Sequence, residues 1–256
     1  MTQLLDVDNL QVDVQRDIRE DIREDEIPAP NIDHLVLEDD APVDNFQADN
    51  FQSAQQQRLL VEPLYSSSVL ASPFIADANV GIFAAEDQEG IIPDVFLSLG
   101  VQRPEDYSQK RNRSYLVWRF GKFPDVAIEI VSNRKGNELM TKDPAKPSEE
   151  DSYARMGIGY YVVFDPLQQI QESEQMNRQP LKVFVLTGRH YQELPEPFWL
   201  EDVGLGLTLW QGELEGTAGQ WLRWCDRAGQ VIPTGAERAD QLAERLRSLG
   251  VDPDAP

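Results

Sequence analysis

The chain contains one cysteine and two histidines among its 256 residues. Because Cys225 is alone, an internal disulfide and a metal site built from several thiolates are both excluded. His34 and His190 are too few for a site that needs three imidazole ligands. Zinc centres of the cysteine-rich and three-histidine types are therefore ruled out before any motif is considered.

Long apolar runs and positive charge are also scarce. No stretch of eighteen apolar residues occurs, and the acidic start differs from the basic and then apolar start of a secretory signal, so we expect a cytoplasmic protein without a membrane span. With 23 Lys and Arg against 45 Asp and Glu, the formal net charge is −22. This balance argues against a permanently basic groove for nucleic acid, so a polyanionic partner would have to meet a local basic patch or bound cations.

The acidic charge is concentrated at the start of the chain. Residues 1–50 carry 15 acidic and 3 basic side chains, and the sequence Asp-Ile-Arg-Glu occurs twice in succession over 17–24. Such low-complexity, highly charged sequence buries too little apolar surface to offset the entropy of ordering, which predicts a disordered arm over 1–45. An arm that screens a cleft or mimics nucleic acid is the functional alternative.

The remaining sequence alternates between strand and helix patterns. A helix is predicted from Ser53, with Pro63 bending or ending it. A helix ending at Gly157 and a hairpin across Thr187 and Gly188 are also predicted. The short β-branched and aromatic runs predicted to be strands are 80–85, 91–97, 115–120, 126–131, 160–164 and 203–210. Antiparallel strands followed by pairing through a helix predict a mixed sheet of the α/β or α+β class.

A final amphipathic helix is predicted over 236–249. Ala239, Leu242, Leu246 and Leu249 recur at the spacing of a coiled-coil seam, but two heptads are too short for a stable free coiled coil. The helix therefore needs a surface to cover its apolar face. That surface is either the helix's own domain or a second subunit.

Two acidic residues lie within apolar runs, where burial of a carboxylate costs free energy. Asp94 interrupts the apolar run 91–97, and Glu129 interrupts the run 126–131. A carboxylate in a buried strand must be paired, solvated by a cleft or bound to a cation. If the two strands are neighbours, both carboxylates point into one site that suits Mg²⁺ (or Mn²⁺), which would activate a water molecule for attack on phosphorus. The pattern predicts a metal-dependent phosphodiesterase.

Other interpretations of these residues stay open at this point. Asp94 follows a proline, and such pairs are common in turns where the aspartate caps the backbone. Asp125 lies on the same strand face as Glu129, because side chains alternate with a period of two, so Asp125 is either a third acid or a strand-entry residue. The basic concentration Lys110, Arg111, Arg113, Arg119 and Lys122 is either a phosphate-contacting surface or ordinary solvated charge.

Taken together, the motifs resemble a known family. The matching features are Pro93-Asp94, the stretch Pro124-Asp-Val-Ala-Ile-Glu-Ile-Val-Ser132 and the stretch Tyr153-Ala-Arg-Met-Gly-Ile-Gly-Tyr-Tyr-Val-Val-Phe-Asp-Pro166. In this order they resemble the Uma-type putative restriction endonuclease family of the PD-(D/E)XK nuclease superfamily. The resemblance implies a restriction-endonuclease-like mixed β-sheet flanked by helices, a nuclease domain over 46–212 and a C-terminal extension over 213–256.

The resemblance also implies a function. It makes Asp94 and Glu129 the metal ligands of a Mg²⁺-dependent endonuclease that hydrolyses the phosphodiester bonds of DNA, with a possible homodimer to cut both strands. The alternative is a catalytically degenerate binding or interaction module that has kept the fold.

The position of the catalytic lysine separates the two alternatives. The superfamily lysine lies two residues after the glutamate, where this chain has Val131, and related families look as though they move it onto the next helix, four residues before Tyr153, where this chain has Glu149. Lys142 is the candidate for the catalytic role from a loop, as a group that orients the attacking water. Lys135 and Lys146 are weaker candidates.

Overall fold

The computed structural model of the chain describes residues 50–85, 90–132, 136–139, 148–171 and 176–253. The predicted arm over 1–45 lies outside these residues, and the domain boundaries predicted from the sequence stay a prediction. The helices are α1 (Phe51–Ser66), α2 (Val117–Phe120), α3 (Glu149–Met156) and α4 (Gly235–Ser248), with a 3₁₀ turn at Lys110–Asn112. None of the described helices is both long and apolar enough to cross a bilayer.

The strands form one large sheet and two small ones. They are β1 (Phe74–Ala78), β2 (Ile82–Phe83), β3 (Val95–Leu99), β4 (Tyr115–Leu116), β5 (Val126–Ile130), β6 (Tyr160–Phe164), β7 (Leu181–Thr187), β8 (His190–Glu193), β9 (Phe198–Leu200), β10 (Leu205–Leu214) and β11 (Thr217–Cys225). The large sheet has six strands in the order β1-β3-β5-β6-β7-β8. Only the pair β5 and β6 is parallel within it, so the sheet is mixed. The restriction-endonuclease-like mixed fold flanked by helices is thus confirmed.

The central strands β5 and β6 are buried on both faces. Every residue of each strand is buried, as expected for parallel strands that are covered on both sides. Along β5, Val126, Ile128 and Ile130 belong to the core beneath α1 and the β9–β11 sheet, whereas Ala127 belongs to the core beneath α3. Side chains alternate between the faces of a strand, so Glu129 points to the α3 side.

Helix α3 is capped at both ends. The hydroxyl of Ser148 accepts a hydrogen bond of 3.1 Å from the backbone N–H of Asp151, which caps the N-terminus. Gly157, at φ 79°, takes the left-handed conformation that ends the helix. The predicted end of this helix is confirmed, and the following turn leads directly into β6.

Three of the predicted strands differ from the observed ones. The run 80–85 contributes only β2, and the run 91–97 becomes a strand only from Val95, which leaves Asp94 at the entrance of β3 and not in its middle. The run 115–120 was predicted wrongly as one strand: after β4 the chain turns into α2, because Gly121 at φ 74° caps it with an N–H bond of 2.8 Å to the carbonyl of Val117. The strands β1, β9 and β11 were not predicted.

The two ends of the described chain pack together. Pro63 lies inside α1 without ending it, and the helix continues to Ser66. The predicted hairpin is observed as β7 and β8, and the predicted C-terminal helix is observed as α4. Glu62 of α1 accepts a hydrogen bond of 3.0 Å from the backbone N–H of Gly235, so the start of α4 is docked on its own domain.

Candidate active site

Asp94 lies where β3 begins, and two different elements hold its half-buried carboxylate. Its Oδ1 accepts a hydrogen bond of 3.0 Å from Nε2 of Gln57 on α1. Its Oδ2 accepts one of 2.6 Å from the backbone N–H of Ile130 on β5. A carboxylate that is fixed at both oxygens has a defined direction, which is the first requirement for a ligand or a catalytic acid.

Glu129 lies one residue before Ile130 and is 8% exposed. Its Oε1 accepts a hydrogen bond from the hydroxyl of Tyr153 on α3. Its Oε2 lies 3.4 Å from the backbone N–H of Asp94, which donates to it. The carboxylate of Glu129 therefore contacts the main chain of Asp94, and the carboxylate of Asp94 contacts the main chain next to Glu129, although the two residues are 35 positions apart in the sequence.

The electrostatic environment opposes ionisation of Glu129. Burial raises the pKa of Glu129 well above its ordinary value, and the charges of Glu149, Asp94 and Glu138 raise it further, whereas the hydrogen bond from Tyr153 lowers it. Burial, and then the charge of Glu129, also raise the pKa of Tyr153 well above its ordinary value, so its hydroxyl stays protonated and donates. A positive charge placed between the two carboxylates would instead lower the pKa of Glu129.

The chemistry of the pair suits a hard cation. Carboxylate oxygens are hard ligands, and each oxygen carries two lone pairs. Within the described residues, no group of three or more His, Cys, Asp or Glu side chains has an arrangement that could hold a metal ion. Two carboxylates are nevertheless sufficient for Mg²⁺, which keeps several of its waters when it binds to a protein. The residues present fit that ion.

Asp125 is a strand-entry residue. Its carboxylate forms an ion pair of 2.6 Å with Lys122 and accepts a hydrogen bond of 2.7 Å from the backbone N–H of Leu99. These contacts tie the start of β5 to the end of β3. The sequence left open whether Asp125 is a third acid of the site or a strand-entry residue. Its contacts are those of a strand-entry residue.

The lysine candidates Lys142, Lys135 and Lys146 lie outside the described residues, so the role of Lys142 stays a prediction. The position two residues after Glu129 is occupied by Val131, whose side chain is 1% exposed. Glu149 is the first residue of α3, and its charge reaches Glu129. The two positions where the resemblance placed a lysine thus hold a buried apolar side chain and an acid.

The basic concentration around α2 makes mainly local contacts. Arg113 donates to the backbone carbonyls of Tyr107 and Ser108, at 2.9 and 3.2 Å. Arg119 donates to the side chain of Asn112. These guanidinium groups hold their own loop in place, and a phosphate-contacting role for them stays a prediction.

Two tryptophans are core residues, and the histidine of the described chain lies on the surface. Trp221 and Trp224 are each 1% exposed, and Nε1 of Trp224 donates to the carbonyl of Leu60 at 2.8 Å. Buried and hydrogen-bonded side chains of this kind fill a core and have no free face for a nucleic-acid base. His190 begins β8 in an exposed position.

Two residues of the site were not predicted from the sequence. Tyr153 appeared only as a point of resemblance, yet its hydroxyl contacts Glu129 directly. Gln57 lies in a glutamine-rich stretch without any motif, yet it contacts Asp94. Tyr153 is buried in a short helix before a core strand, and such a position is typical of a packing residue. No signal in the sequence identifies Gln57 as a residue of the site.

Comparison with known families agrees with this geometry. The sequence model of the Uma2 family, described as "Putative restriction endonuclease", matches residues 47–209. No curated protein matches the chain. The match covers more than half of the chain and includes Asp94, Glu129 and Tyr153. The chain belongs to the Uma2 family of the PD-(D/E)XK nuclease superfamily.

Proposed function

We propose that this protein is a Mg²⁺-dependent endonuclease that hydrolyses phosphodiester bonds of DNA. The observation that carries the proposal is the meeting of Asp94 and Glu129 from different strands, with a hydrogen bond of 3.4 Å between the N–H of one and the carboxylate of the other. Membership of a restriction endonuclease family supports nuclease chemistry in general. The choice of metal ion and of DNA as substrate is our inference from the carboxylate ligands and from the family.

The residues of the site would divide the work between them. Asp94 and Glu129 would hold the metal ion, which when bound lowers the pKa of a water molecule and polarises a phosphoryl oxygen. Tyr153 keeps one oxygen of Glu129 fixed by a hydrogen bond, and Ile130 does the same for Asp94. Lys142 would orient the attacking water and stabilise the negative charge that develops on the phosphate.

Two active sites can cut both strands of a duplex in one binding event, and we propose a homodimer for this purpose. A surface for it exists on α4 and the residue that follows it, where Leu242, Leu246 and Leu249 are 63%, 39% and 70% exposed. An apolar row of this kind is uncommon on a monomer unless it serves an interaction.

The experiment that tests the proposed function is cleavage of a supercoiled plasmid by the full chain. We expect nicked or linear DNA with Mg²⁺ or Mn²⁺ and intact plasmid with a chelator. Glu129→Ala should remove the cleavage without unfolding the protein, because it deletes a ligand and little core volume. Glu213→Ala, at an exposed acid of β10, is the matched control and should cut like the parent. If Glu129→Ala cuts as fast as the parent, the assigned site is wrong.

The alternative function is a nuclease-fold module that binds a partner without catalysis. Val131 and Glu149 favour it, because they occupy the two positions where the superfamily carries its lysine. Calorimetric titration with Mn²⁺ separates the two functions, since a degenerate module has no need to bind a cation at this pair. Metal binding that is lost in Glu129→Ala supports the nuclease, whereas a parent that binds no metal supports the module.

A further inference from the structure

Gln57 is a buried glutamine with a hydrogen bond at each end of its amide. It lies in α1 and is 5% exposed. Its Nε2 donates to Oδ1 of Asp94 at 3.0 Å, and its Oε1 accepts from Nδ2 of Asn79 at 3.2 Å. Because Asn79 donates to the oxygen, the amide nitrogen is the atom that faces Asp94.

Asn79 contacts the same aspartate by a second route. It follows β1 directly, in the left-handed conformation at φ 54°, and its backbone N–H donates to the carbonyl of Asp94 at 3.3 Å. The three residues thus form a closed ring of contacts: Asn79 with the main chain of Asp94, Asn79 with Gln57, and Gln57 with the side chain of Asp94. This ring joins α1, the end of β1 and the start of β3.

Gln56, the neighbour of Gln57, provides the contrast. It is also buried and doubly hydrogen-bonded, but both of its partners are main-chain atoms of Leu222 on β11, at 2.9 and 3.0 Å. Its contacts attach α1 to the second sheet and reach no acid. The two adjacent glutamines are therefore both buried and both form two side-chain hydrogen bonds, but they contact different partners.

We propose that Gln57, oriented by Asn79, is a positioning residue that directs the carboxylate of Asp94 toward the metal ion. The inference rests on the proposed function, since it assumes that Asp94 is a ligand. It adds that α1, which carries no ligand itself in this scheme, sets the geometry of the site. Partners that orient a metal-binding carboxylate typically change metal affinity or activity by about 10- to 100-fold when they are removed.

The physical basis is that a carboxylate can rotate about the bond that joins it to the rest of the side chain. The backbone N–H of Ile130 holds Oδ2 of Asp94, and Nε2 of Gln57 holds Oδ1. The bond from Gln57 therefore resists rotation of the carboxylate. Gln57 also lines an open pocket of about 770 Å³ between α1, α4 and the β10–β11 hairpin.

The test compares Gln57→Met with Gln56→Met in the full chain. Methionine has a similar volume and lacks the amide, so Gln57→Met removes the hydrogen bonds with little change in packing volume. We expect Gln57→Met to weaken Mn²⁺ binding by about 10- to 100-fold in calorimetric titration. We expect Gln56→Met to bind Mn²⁺ like the parent while melting at a lower temperature, because its lost partners are buried main-chain atoms.

The outcomes separate this inference from the proposed function. If the parent binds Mn²⁺ and Gln57→Met binds it equally tightly, the positioning role is refuted and the metal site stands. If the parent binds no Mn²⁺, the metal site falls and the positioning role with it. If both glutamine variants weaken binding by the same factor, Gln57 has only the structural role that Gln56 has.

A second variant tests the part played by Asn79. Glycine tolerates its positive φ and keeps the main-chain bond to Asp94, so Asn79→Gly removes the side-chain bond to Gln57. We expect a smaller loss of Mn²⁺ affinity than in Gln57→Met. The double variant should bind no more weakly than Gln57→Met alone, because both changes break the same chain of contacts. Additive losses would show that Asn79 does not act through Gln57.

Discussion

The backbone N–H of Ile130 donates a hydrogen bond of 2.6 Å to Oδ2 of Asp94. Ile130 follows Glu129 in β5, and Val95, which follows Asp94, pairs with Ile128 in the same strand. The meeting of the two acids is therefore a consequence of the register between β3 and β5. A shift of one residue would turn Glu129 to the opposite face of the sheet and dissolve the pair.

Glu129→Gln tests the electrostatic cost of the site. We expect Mg²⁺-dependent cleavage to fall by about 100-fold or more, since a bound metal contributes several kcal/mol to such a reaction. We also expect the metal-free variant to be more stable than the parent at pH 7. The folded-state pKa of Glu129 is raised, so the stability that its protonated form provides is present below the unfolded pKa and is lost as the pH rises toward the folded pKa.

The measurement is thermal unfolding of both proteins between pH 4 and pH 8 in the presence of a chelator. The advantage of the glutamine variant should grow as the pH increases. A difference in melting temperature that is the same at every pH would contradict the raised pKa of Glu129.

Tyr153→Phe tests the hydrogen bond that favours the ionised form of Glu129. That bond lowers the pKa of Glu129, so its removal should raise the pKa further and shift the acidic limb of the pH dependence of cleavage to higher pH. Loss of one buried hydrogen bond should also cost about 1 kcal/mol of stability. Cleavage rates measured over a pH series report the first effect, and chemical unfolding reports the second.

Tyr161→Phe is the matched control for this prediction. Tyr161 is also buried, its ring lies 5.1 Å from that of Tyr153, and its hydroxyl donates to the backbone carbonyl of Glu138 at 2.9 Å. Its loss should lower stability by a similar amount and leave the acidic limb in place. Equal shifts in both variants would mean that packing, and not the bond to Glu129, sets the pH dependence.

The sequence predicts the parts of this fold in which local pattern and tertiary structure agree. The run 160–164 is continuously apolar, the run 126–131 is apolar apart from Glu129, and the two form the central parallel pair of the sheet. The run 115–120 has the same aromatic and β-branched composition, but there the stacking of Tyr115 on Phe120, with ring centroids 4.4 Å apart, and the cap at Gly121 produce a helical turn. Tertiary contacts override propensity in such short segments.

The site, like the fold, could be predicted from the sequence only in part. An acid within an apolar run can be recognised from the sequence alone, and this feature identified Asp94 and Glu129 as candidates. Gln57 and Asn79 belong to the site only because α1 and the end of β1 lie beside β3, and no local pattern reports such neighbours. The lysine remains a prediction, because Lys142 lies outside the described residues.

Glu237→Ala tests how α4 is attached to the domain. The buried guanidinium of Arg223 forms bonds of 3.0 and 2.6 Å with the carboxylate of Glu237, which also accepts from the backbone N–H of Thr234 at 2.7 Å. Removing this carboxylate leaves a buried cation with fewer partners, so we expect a loss of about 1–3 kcal/mol in the free energy of unfolding. Glu244→Ala, at an exposed position of the same helix, should change it little.

The pH dependence of this contact has the opposite sign to that of Glu129. Burial acts to raise the pKa of Glu237, but its hydrogen bonds with Arg223 and Thr234 and the charge of Arg223 together hold it below the ordinary value. Stability from this group is therefore present above the unfolded pKa and is lost as the pH falls through the folded pKa. Denaturant titrations at several pH values should show the parent's advantage over Glu237→Ala shrinking in acid.

Leu242→Glu tests the proposed homodimer. In a two-fold interface the same substitution appears on both subunits, so a single charge in the row of Leu242, Leu246 and Leu249 places two like charges in the contact. We expect the parent to sediment as a dimer and the variant as a monomer, while Gln241→Glu, at an exposed position beside the row, leaves the dimer intact. The plasmid assay should change in parallel, from linear product to nicked circles, because a monomer carries one active site. A parent that sediments as a monomer and still produces linear DNA would show that this face of α4 has no part in double-strand cleavage.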